Sequence, residues 1–262
     1  MRAAPCPSER LTPASSIASC AIAGPAWDNA FMGFHRSRPR TYGRKGGQVQ
    51  RLAALALAIL VCAFSGGAQA ADERPVKIVV LGDSLSAGLG LPADAAFPAK
   101  LSQALKAKGV PADVINAGVS GDTSSGGLGR LDWSVPQGTE AVILELGAND
   151  ALRGIDPKVT KTALDTILDK LKARHIAVLL AGMKAPRNMG DEYVQRFDAL
   201  YPALASTHSV VFYPFFLDGV AGDPKLNQAD GLHPTAAGVD VIVTRILPQV
   251  EELVAKVLAT RN

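Results

Sequence analysis

The stretch VKIVVLGDSLS, residues 76–86, consists of a short apolar run and a polar turn that begins with Gly82. Apolar runs of the same kind recur along the chain, at residues 141–146 (AVILEL), 176–181 (IAVLLA), 210–213 (VVFY) and, more weakly, 112–115 (ADVI). Short continuous apolar runs of this length are typical of parallel strands that are covered on both faces. The sequence therefore predicts five buried parallel strands.

Segments with helical spacing lie between these runs. The clearest is 157–174, which has Asp156 as its N-cap, Pro157 at its first position and an apolar stripe (Val159, Ala163, Leu164, Ile167, Leu168 and Leu171). Further helices are predicted before Gly109, over 191–206 and over 234–258, where Pro248 is expected to kink or split the last one. Alternating strands and helices predict an α/β fold: a three-layer α/β/α sandwich with a five-stranded parallel sheet, flavodoxin-like.

The positive charge of the chain is concentrated near its amino terminus. The 262 residues carry a formal net charge of +3, but residues 1–70 hold 8 of the 27 Lys and Arg and only 2 of the 24 Asp and Glu. The rest of the chain is mildly acidic, which argues against nucleic-acid binding.

The same amino-terminal segment has the order of a Sec signal peptide. Several arginines precede a 13-residue apolar run, Leu52 to Phe64, which is followed by Ala68-Gln69-Ala70. The run is shorter than the roughly 20 apolar residues of a membrane-spanning helix. We expect cleavage near Ala70, a single folded domain over 71–262, a periplasmic or secreted location and no stable membrane anchor.

Two alternatives concern this leader. Met32 lies nearer to the apolar run than Met1 does, so residues 1–31 are a candidate untranslated segment. A lipid anchor on Cys62 is the other alternative, although Val61 stands where a small residue is normally required. All three cysteines lie before residue 71, so the remaining chain offers no disulfide, thiolate nucleophile or cysteine metal site.

Ligands of such folds bind beyond the carboxyl ends of the strands, which directs attention to the loops there. In the first of these loops Ser84 stands at a strand-to-helix turn, where a nucleophile is exposed and near free backbone N–H groups. An N-cap serine without catalytic function is the alternative interpretation.

A serine nucleophile needs a base, and three histidines follow residue 70. His175 and His208 precede strands, so we expect them at the opposite edge of the sheet and on the surface. His233 follows Asp230 by three residues, close enough for that carboxylate to orient the imidazole. An Asp-x-x-His metal pair is the alternative, but no third ligand is evident and no metal or other cofactor is expected.

Two more loops offer oxyanion donors. Gly118 and Gly121 follow the second predicted strand, and a glycine N–H can approach an oxyanion closely. Asn149 follows the third strand with a side-chain amide as donor.

Together, four motifs resemble the blocks of the GDSL, or SGNH, hydrolase family, and within it the bacterial periplasmic thioesterase, lysophospholipase and arylesterase group. They are GDSL at 82–85, Gly121 before Asp-Thr, GxND at 147–150 and DxxH at 230–233. The resemblance covers nearly all of 76–258.

The resemblance implies a role for each matching position. Ser84 is the implied nucleophile, His233 the general base and acid, and Asp230 its orienting partner. The implied oxyanion hole is made of the Ser84 N–H, the N–H of Gly121 rather than Gly118, and the Asn149 side chain. A further expected set borders the substrate: Leu85, Asp150, Leu152, Arg153 and Pro186.

The leading hypothesis is a serine hydrolase that cleaves acyl esters and thioesters, including aryl esters, lysophospholipids and acyl-CoA, through an acyl-enzyme. A carbohydrate O-deacetylase and a non-catalytic acyl-binding module are the alternatives. Apolar side chains near the loops favour an acyl chain, although several are also candidates for the core: Leu89, Leu91, Met183, Met189, Phe215 and Phe216. We expect a small-molecule substrate and a monomer or weak homo-oligomer.

Overall fold

Five parallel strands form one sheet in the computed structural model, which describes residues 74–261. The strands are β1 (Val76–Gly82), β2 (Ala112–Gly118), β3 (Ala141–Glu145), β4 (Ala177–Ala181) and β5 (Val211–Tyr213). Their spatial order is β2-β1-β3-β4-β5, and each neighbouring pair is parallel. The predicted α/β fold with a five-stranded parallel sheet is confirmed.

Helices provide the crossovers that parallel strands require. They are α1 (Ser84–Ala87), α2 (Phe97–Ala107), α3 (Ser124–Gly129), α4 (Leu131–Ser134), α5 (Ala148–Leu152), α6 (Pro157–Ala173), α7 (Asp191–Asp198), α8 (Leu200–His208) and α9 (Ala236–Arg261), with 3-10 turns at Ala93–Ala95 and Arg187–Met189. Helices α2 and α9 pack on each other and on the sheet, whereas α6 packs on α3 and α8. The sheet is the middle layer of this sandwich.

The position of a strand in the sheet explains how clear its apolar pattern is in the sequence. Strands β1 and β3 are central, and Ile78, Val80, Ile143 and Leu144 have no exposed surface. Strand β2 is an edge strand and leaves Ile115 39% exposed. A strand with a solvent-facing side does not need a continuous apolar run, which is why β2 gave the weakest pattern.

Helix α6 agrees with its prediction apart from one residue. The Asp156 side chain caps it by accepting a hydrogen bond from the Lys158 N–H at 2.9 Å. Val159, predicted in the buried stripe, is instead 48% exposed. Thr160 takes the inward position of the first turn and donates a hydrogen bond to Asp150.

At two prolines the helix boundaries differ from those predicted. The segment predicted as one helix over 191–206 is two helices, α7 and α8, and Pro202 removes a backbone donor near their junction. Conversely, Pro248 does not split α9, which is continuous from Ala236 to Arg261. Buried residues on both sides of Pro248, among them Ile246 and Val250, hold this helix against the rest of the protein.

The predicted leader, its cleavage near Ala70 and the alternatives at Met32 and Cys62 lie outside the described residues. Within 74–261, no helix combines the length and the apolar character needed to cross a membrane.

Two substitutions on α6 test the packing of this layer. Leu164 has no exposed surface, so Leu164→Ala should lower the free energy of unfolding by about 2–5 kcal/mol, the usual cost of a core cavity. Val159→Ala on the exposed side should change it by less than about 0.5 kcal/mol. Urea denaturation of both variants checks this, and equal losses would contradict the assigned orientation of the helix.

Candidate active site

The predicted nucleophile turn, residues 82–86, begins where β1 ends. Gly82 is the last residue of β1, Asp83 is the N-cap of α1, and Ser84 is the first residue of that helix. The Asp83 side chain accepts a hydrogen bond from the Leu85 N–H at 2.9 Å. The N-cap is therefore Asp83, and Ser84 is left with its hydroxyl available for another partner.

That partner is His233. The Ser84 Oγ lies 2.8 Å from the His233 Nε2, and the His233 Nδ1 lies 2.6 Å from the Asp230 Oδ2. The two contacts use the two ring nitrogens, so a proton on Nδ1 leaves Nε2 as an acceptor for the serine proton. The three side chains predicted to form a triad are thus brought together.

Local backbone bonds fix the Asp230 carboxylate. The Asp230 Oδ1 accepts from the Leu232 N–H at 2.9 Å and from the His233 N–H at 3.0 Å. The His233 N–H, then the Leu232 N–H, hold the pKa of Asp230 below its usual range. Asp230 therefore stays ionised at neutral pH, and it can stabilise an imidazolium on His233.

Asn149 is fixed by two acceptors near Ser84. Its Nδ2 donates to the Asp83 Oδ2 at 3.1 Å and to the Asp122 carbonyl at 2.9 Å. The turn before it depends on Gly147, which has a φ of 117°. A Cβ at this position would collide with the Tyr201 hydroxyl, which donates to the Leu146 carbonyl at 2.9 Å.

Gly121 lies in the loop after β2 and has a φ of 85°, a conformation that favours glycine. Its carbonyl accepts a hydrogen bond from the Arg153 Nη2 at 2.7 Å. Arg153 thus ties the loop after β2 to the loop after β3.

A cavity of about 520 Å³ opens beside this triad. Ser84, Asn149 and His233 line it, together with an apolar wall that consists of Leu85, Ala148, Ala151, Leu152, Met183, Ala185, Pro186, Phe215, Leu217, Ala221 and Leu232. Three of the residues expected to border the substrate, Leu85, Leu152 and Pro186, belong to this wall. The Ser84 side chain therefore faces a largely apolar space.

The structure places the other two expected substrate residues elsewhere. Asp150 is fully buried and accepts hydrogen bonds from the Ser124 N–H and Oγ and from the Thr160 Oγ1. It joins α3 to α6 and does not line the cavity. Arg153 is engaged with Gly121, as described above.

Of the apolar residues that favoured an acyl chain, some line the cavity and others do not. Met183 and Phe215 line the cavity. Phe216 belongs to the core, where its ring packs edge-on against Phe97, and Met189 packs against the core. Leu89 is 46% exposed and Leu91 is partly buried, and neither lines the cavity.

Sequence reasoning missed several residues of the site. Lys184, Arg187 and Asn227 line the cavity without belonging to any motif, because loops after β4 and β5 bring them there. Glu145, the fully buried last residue of β3, contacts the nucleophile turn. Its signal was a carboxylate inside an apolar run.

A second histidine–carboxylate pair lies at the other edge of the sheet. The His208 Nε2 is 2.6 Å from the Asp165 Oδ1, and its side chain is only 6% exposed, so the surface location predicted for it was wrong. His208 and the exposed His175 border another cavity of about 520 Å³, near the starts of β4 and β5. No group of three or more His, Cys, Asp or Glu side chains within 74–261 is placed to hold a metal ion.

Comparison with known proteins agrees with these motifs. Residues 80–241 match the model of the GDSL-like Lipase/Acylhydrolase family. The chain belongs to this family. The matched residues include the nucleophile turn, the loops after β2 and β3, and the Asp230–His233 segment.

Individual family members are similar over most of their length. The esterase TesA of Pseudomonas aeruginosa is 38% identical over 177 residues, 67% of this chain and 88% of the relative. Thioesterase 1/protease 1/lysophospholipase L1 of Escherichia coli K12 is 40% identical over 178 residues, 68% of this chain and 84% of the relative. The crystal structure of AlinE4, an SGNH-hydrolase family esterase, matches with a TM-score of 0.59 and 44% identity, covering 68% of this chain and 96% of that one.

Replacing Asn149 tests its role as an oxyanion donor. Asn149→Ala should lower kcat by about 100- to 1,000-fold, because one such donor typically contributes that much. Asn149→Asp, which keeps the shape but has no amide donor, should be at least as impaired. Steady-state kinetics with an aryl ester measures both, and a rate near wild type for Asn149→Asp would remove the residue from the oxyanion hole.

Asp83 should make stability depend on pH in a distinctive direction. Burial raises its pKa from about 3.8 to about 6, against the opposing hydrogen bonds from the Leu85 N–H and the Asn149 amide. Between about pH 4 and pH 6 the folded protein therefore holds a proton on Asp83 that the unfolded chain has released. The contribution of this group to the free energy of unfolding is present below about pH 4 and is lost as pH rises through 6. The unfolding free energy of wild type relative to Asp83→Asn should fall over that interval, and a difference independent of pH would contradict the raised pKa.

Proposed function

We propose that this protein hydrolyses carboxylic esters and thioesters of acyl chains through a Ser84 acyl-enzyme. The observation that carries the proposal is the chain of contacts from Ser84 through His233 to Asp230 at the wall of an apolar cavity. The family membership and the esterase and thioesterase names of the relatives support the same reaction class.

Acylation follows from the two histidine contacts. The Ser84 Oγ attacks the substrate carbonyl carbon while the His233 Nε2 accepts the serine proton. Asp230, held ionised by backbone N–H groups, stabilises the imidazolium that forms. The imidazolium then donates its proton to the departing alcohol or thiol, and the carbonyl carbon remains bonded to the Ser84 Oγ.

Deacylation repeats these steps with water. His233 accepts a proton from the water that attacks the acyl-enzyme, and it then protonates the Ser84 Oγ as the carboxylic acid leaves. In both steps the negative oxygen is assigned to the Ser84 N–H, the Gly121 N–H and the Asn149 amide, whose Nδ2 exchanges its hydrogen bond to Asp83 or to the Asp122 carbonyl for one to this oxygen. These donors are the residues at the carboxyl ends of β1, β2 and β3.

The cavity wall supports an acyl chain in preference to a sugar. Met183, Phe215, Leu217 and their apolar neighbours provide burial for methylene groups but few hydrogen-bond partners for hydroxyls. Lys184 and Arg187 also line the cavity, and their positive charge suits a substrate with an anionic headgroup. With the predicted signal peptide, these features favour lysophospholipids or other membrane-derived esters met in the periplasm or outside the cell.

A p-nitrophenyl ester series from acetate to palmitate tests the reaction and the substrate class. Each methylene that enters the cavity contributes about 0.8 kcal/mol, so kcat/KM should rise by up to about fourfold per methylene until the cavity is full. Ser84→Ala and His233→Ala should abolish turnover. An optimum at acetate, with good turnover of acetylated sugars, would instead identify a deacetylase.

The second histidine–carboxylate pair provides a matched control. His208→Ala removes an imidazole that also contacts an aspartate but lies at the opposite edge of the sheet. It should retain wild-type turnover within about threefold, since substitutions remote from a site rarely change it. Activity that survives in His233→Ala would overturn the mechanism, and no turnover of any ester or thioester would favour the binding-module alternative.

A further inference from the structure

Glu145 is a buried carboxyl group that the hydrolytic steps do not use. It is the last residue of β3, directly beside Gly82, the last residue of β1. It has no exposed surface. Its side chain crosses toward the nucleophile turn, where the Oε2 lies 2.6 Å from the Ser86 Oγ and 3.3 Å from the Asp83 N.

These two contacts bracket the nucleophile in the sequence. Asp83 precedes Ser84, Ser86 follows it by two residues, and both are fully buried. One carboxyl group therefore fixes the turn on both sides of the reactive serine.

Gly82 makes this arrangement possible. A Cβ at position 82 would collide with the Ser86 Oγ and with the Glu145 Oε2. The glycine of the nucleophile motif thus leaves room for the contact between Glu145 and Ser86. Its φ is not in the left-handed region, so space rather than backbone freedom explains it.

The contacts continue from Asp83 to the oxyanion donor. The Asp83 Oδ2 accepts from the Asn149 Nδ2 at 3.1 Å, while its main-chain N–H faces Glu145. A shift of Asp83 would move the acceptor that orients Asn149. Glu145 is thus linked to the nucleophile and to a residue of the oxyanion hole.

The electrostatics of the two buried carboxyls are consistent with a neutral Glu145. Burial, and then the charge of Asp83, raise the pKa of Glu145 well above its usual range. Asp83 keeps the negative charge more readily because the Leu85 N–H and the Asn149 amide donate to it. The Glu145 Oε1 has no hydrogen-bond partner within the described structure, which costs less for a carboxylic acid than for a carboxylate.

We infer that Glu145 is a positioning residue that acts through Ser86 and Asp83 to set the nucleophile turn and the orientation of Asn149. The inference rests on the proposed function. It assigns no contact between Glu145 and the substrate.

Two substitutions separate the shape of Glu145 from its charge. Glu145→Leu removes the acceptor of both bonds and should lower kcat by about 10- to 100-fold with KM within about threefold, the cost expected for a misplaced catalytic group. Glu145→Gln keeps an oxygen acceptor without a charge and should stay within about tenfold of wild type. Val142→Ala, also buried in β3 but remote from the turn, controls for lost stability and should retain wild-type kcat.

A double-mutant cycle tests the link to Asn149. If Glu145 acts through Asp83, Asn149→Ala should cost at least about threefold less in kcat in the Glu145→Leu background than in wild type. Equal costs in the two backgrounds, an unchanged kcat in Glu145→Leu, or a Gln variant as impaired as the Leu variant would each overturn the inference. Where Glu145→Leu does not fold, the cycle is run with Ser86→Ala, which removes one of the two bonds.

A measurement without substrate separates this inference from the proposed function. The side-chain amide resonances of Asn149 in ¹⁵N-labelled protein should shift in Glu145→Leu and not in Val142→Ala. This holds even if the wild type turns over no ester. Resonances that do not move would refute the coupling, whereas absent turnover by the wild type would refute the proposed function alone.

Discussion

The parallel register of β1 with both of its neighbours is the constraint on which the site depends. Gly82 pairs with Gly118 of β2 and with Glu145 of β3, so the three strands end at the same level. The loops that follow carry Ser84, Gly121 and Asn149 to one edge. His233 lies 149 residues after Ser84 in the sequence, and its Nε2 is 2.8 Å from the serine hydroxyl at the same edge.

Polar groups are buried at this edge of the sheet, and the stability that the apolar core provides must offset the free-energy cost of burying them. Asp83, Ser86 and Glu145 have no exposed surface, and Ser84 is 8% exposed. Burying such groups costs free energy unless each finds a hydrogen-bond partner. The raised pKa values of Asp83 and Glu145 show that the compensation is incomplete. An arrangement that reduces stability locally while it orients reactive groups is typical of enzyme sites.

Two histidines contact aspartates, and their second ring nitrogens distinguish them. The His233 Nδ1 faces Asp230 and its Nε2 faces the Ser84 hydroxyl. The His208 Nε2 faces Asp165, but its Nδ1 lies 3.7 Å from the Asp169 carboxylate. A histidine between two carboxylates has no hydroxyl to activate and serves to join α8 to α6. The partner of the second ring nitrogen, a hydroxyl for His233 and a carboxylate for His208, distinguishes the two histidines.

The sequence by itself determined the five strands and singled out Ser84, Asp230 and His233 as a candidate triad. Continuous apolar runs identify buried strands because both faces of a central strand must avoid water, and a short Asp-x-x-His segment fixes its own geometry. The sequence could not determine on which side of α6 Val159 lies, or that α9 continues through Pro248. Long-range packing outweighs local preference at both positions. Sequence reasoning also placed Asp150 at the substrate and overlooked Glu145. Only the tertiary structure decided these roles, because Ser124 and Thr160 reach Asp150, and Ser86 reaches Glu145, across separate elements whose contacts no local pattern records.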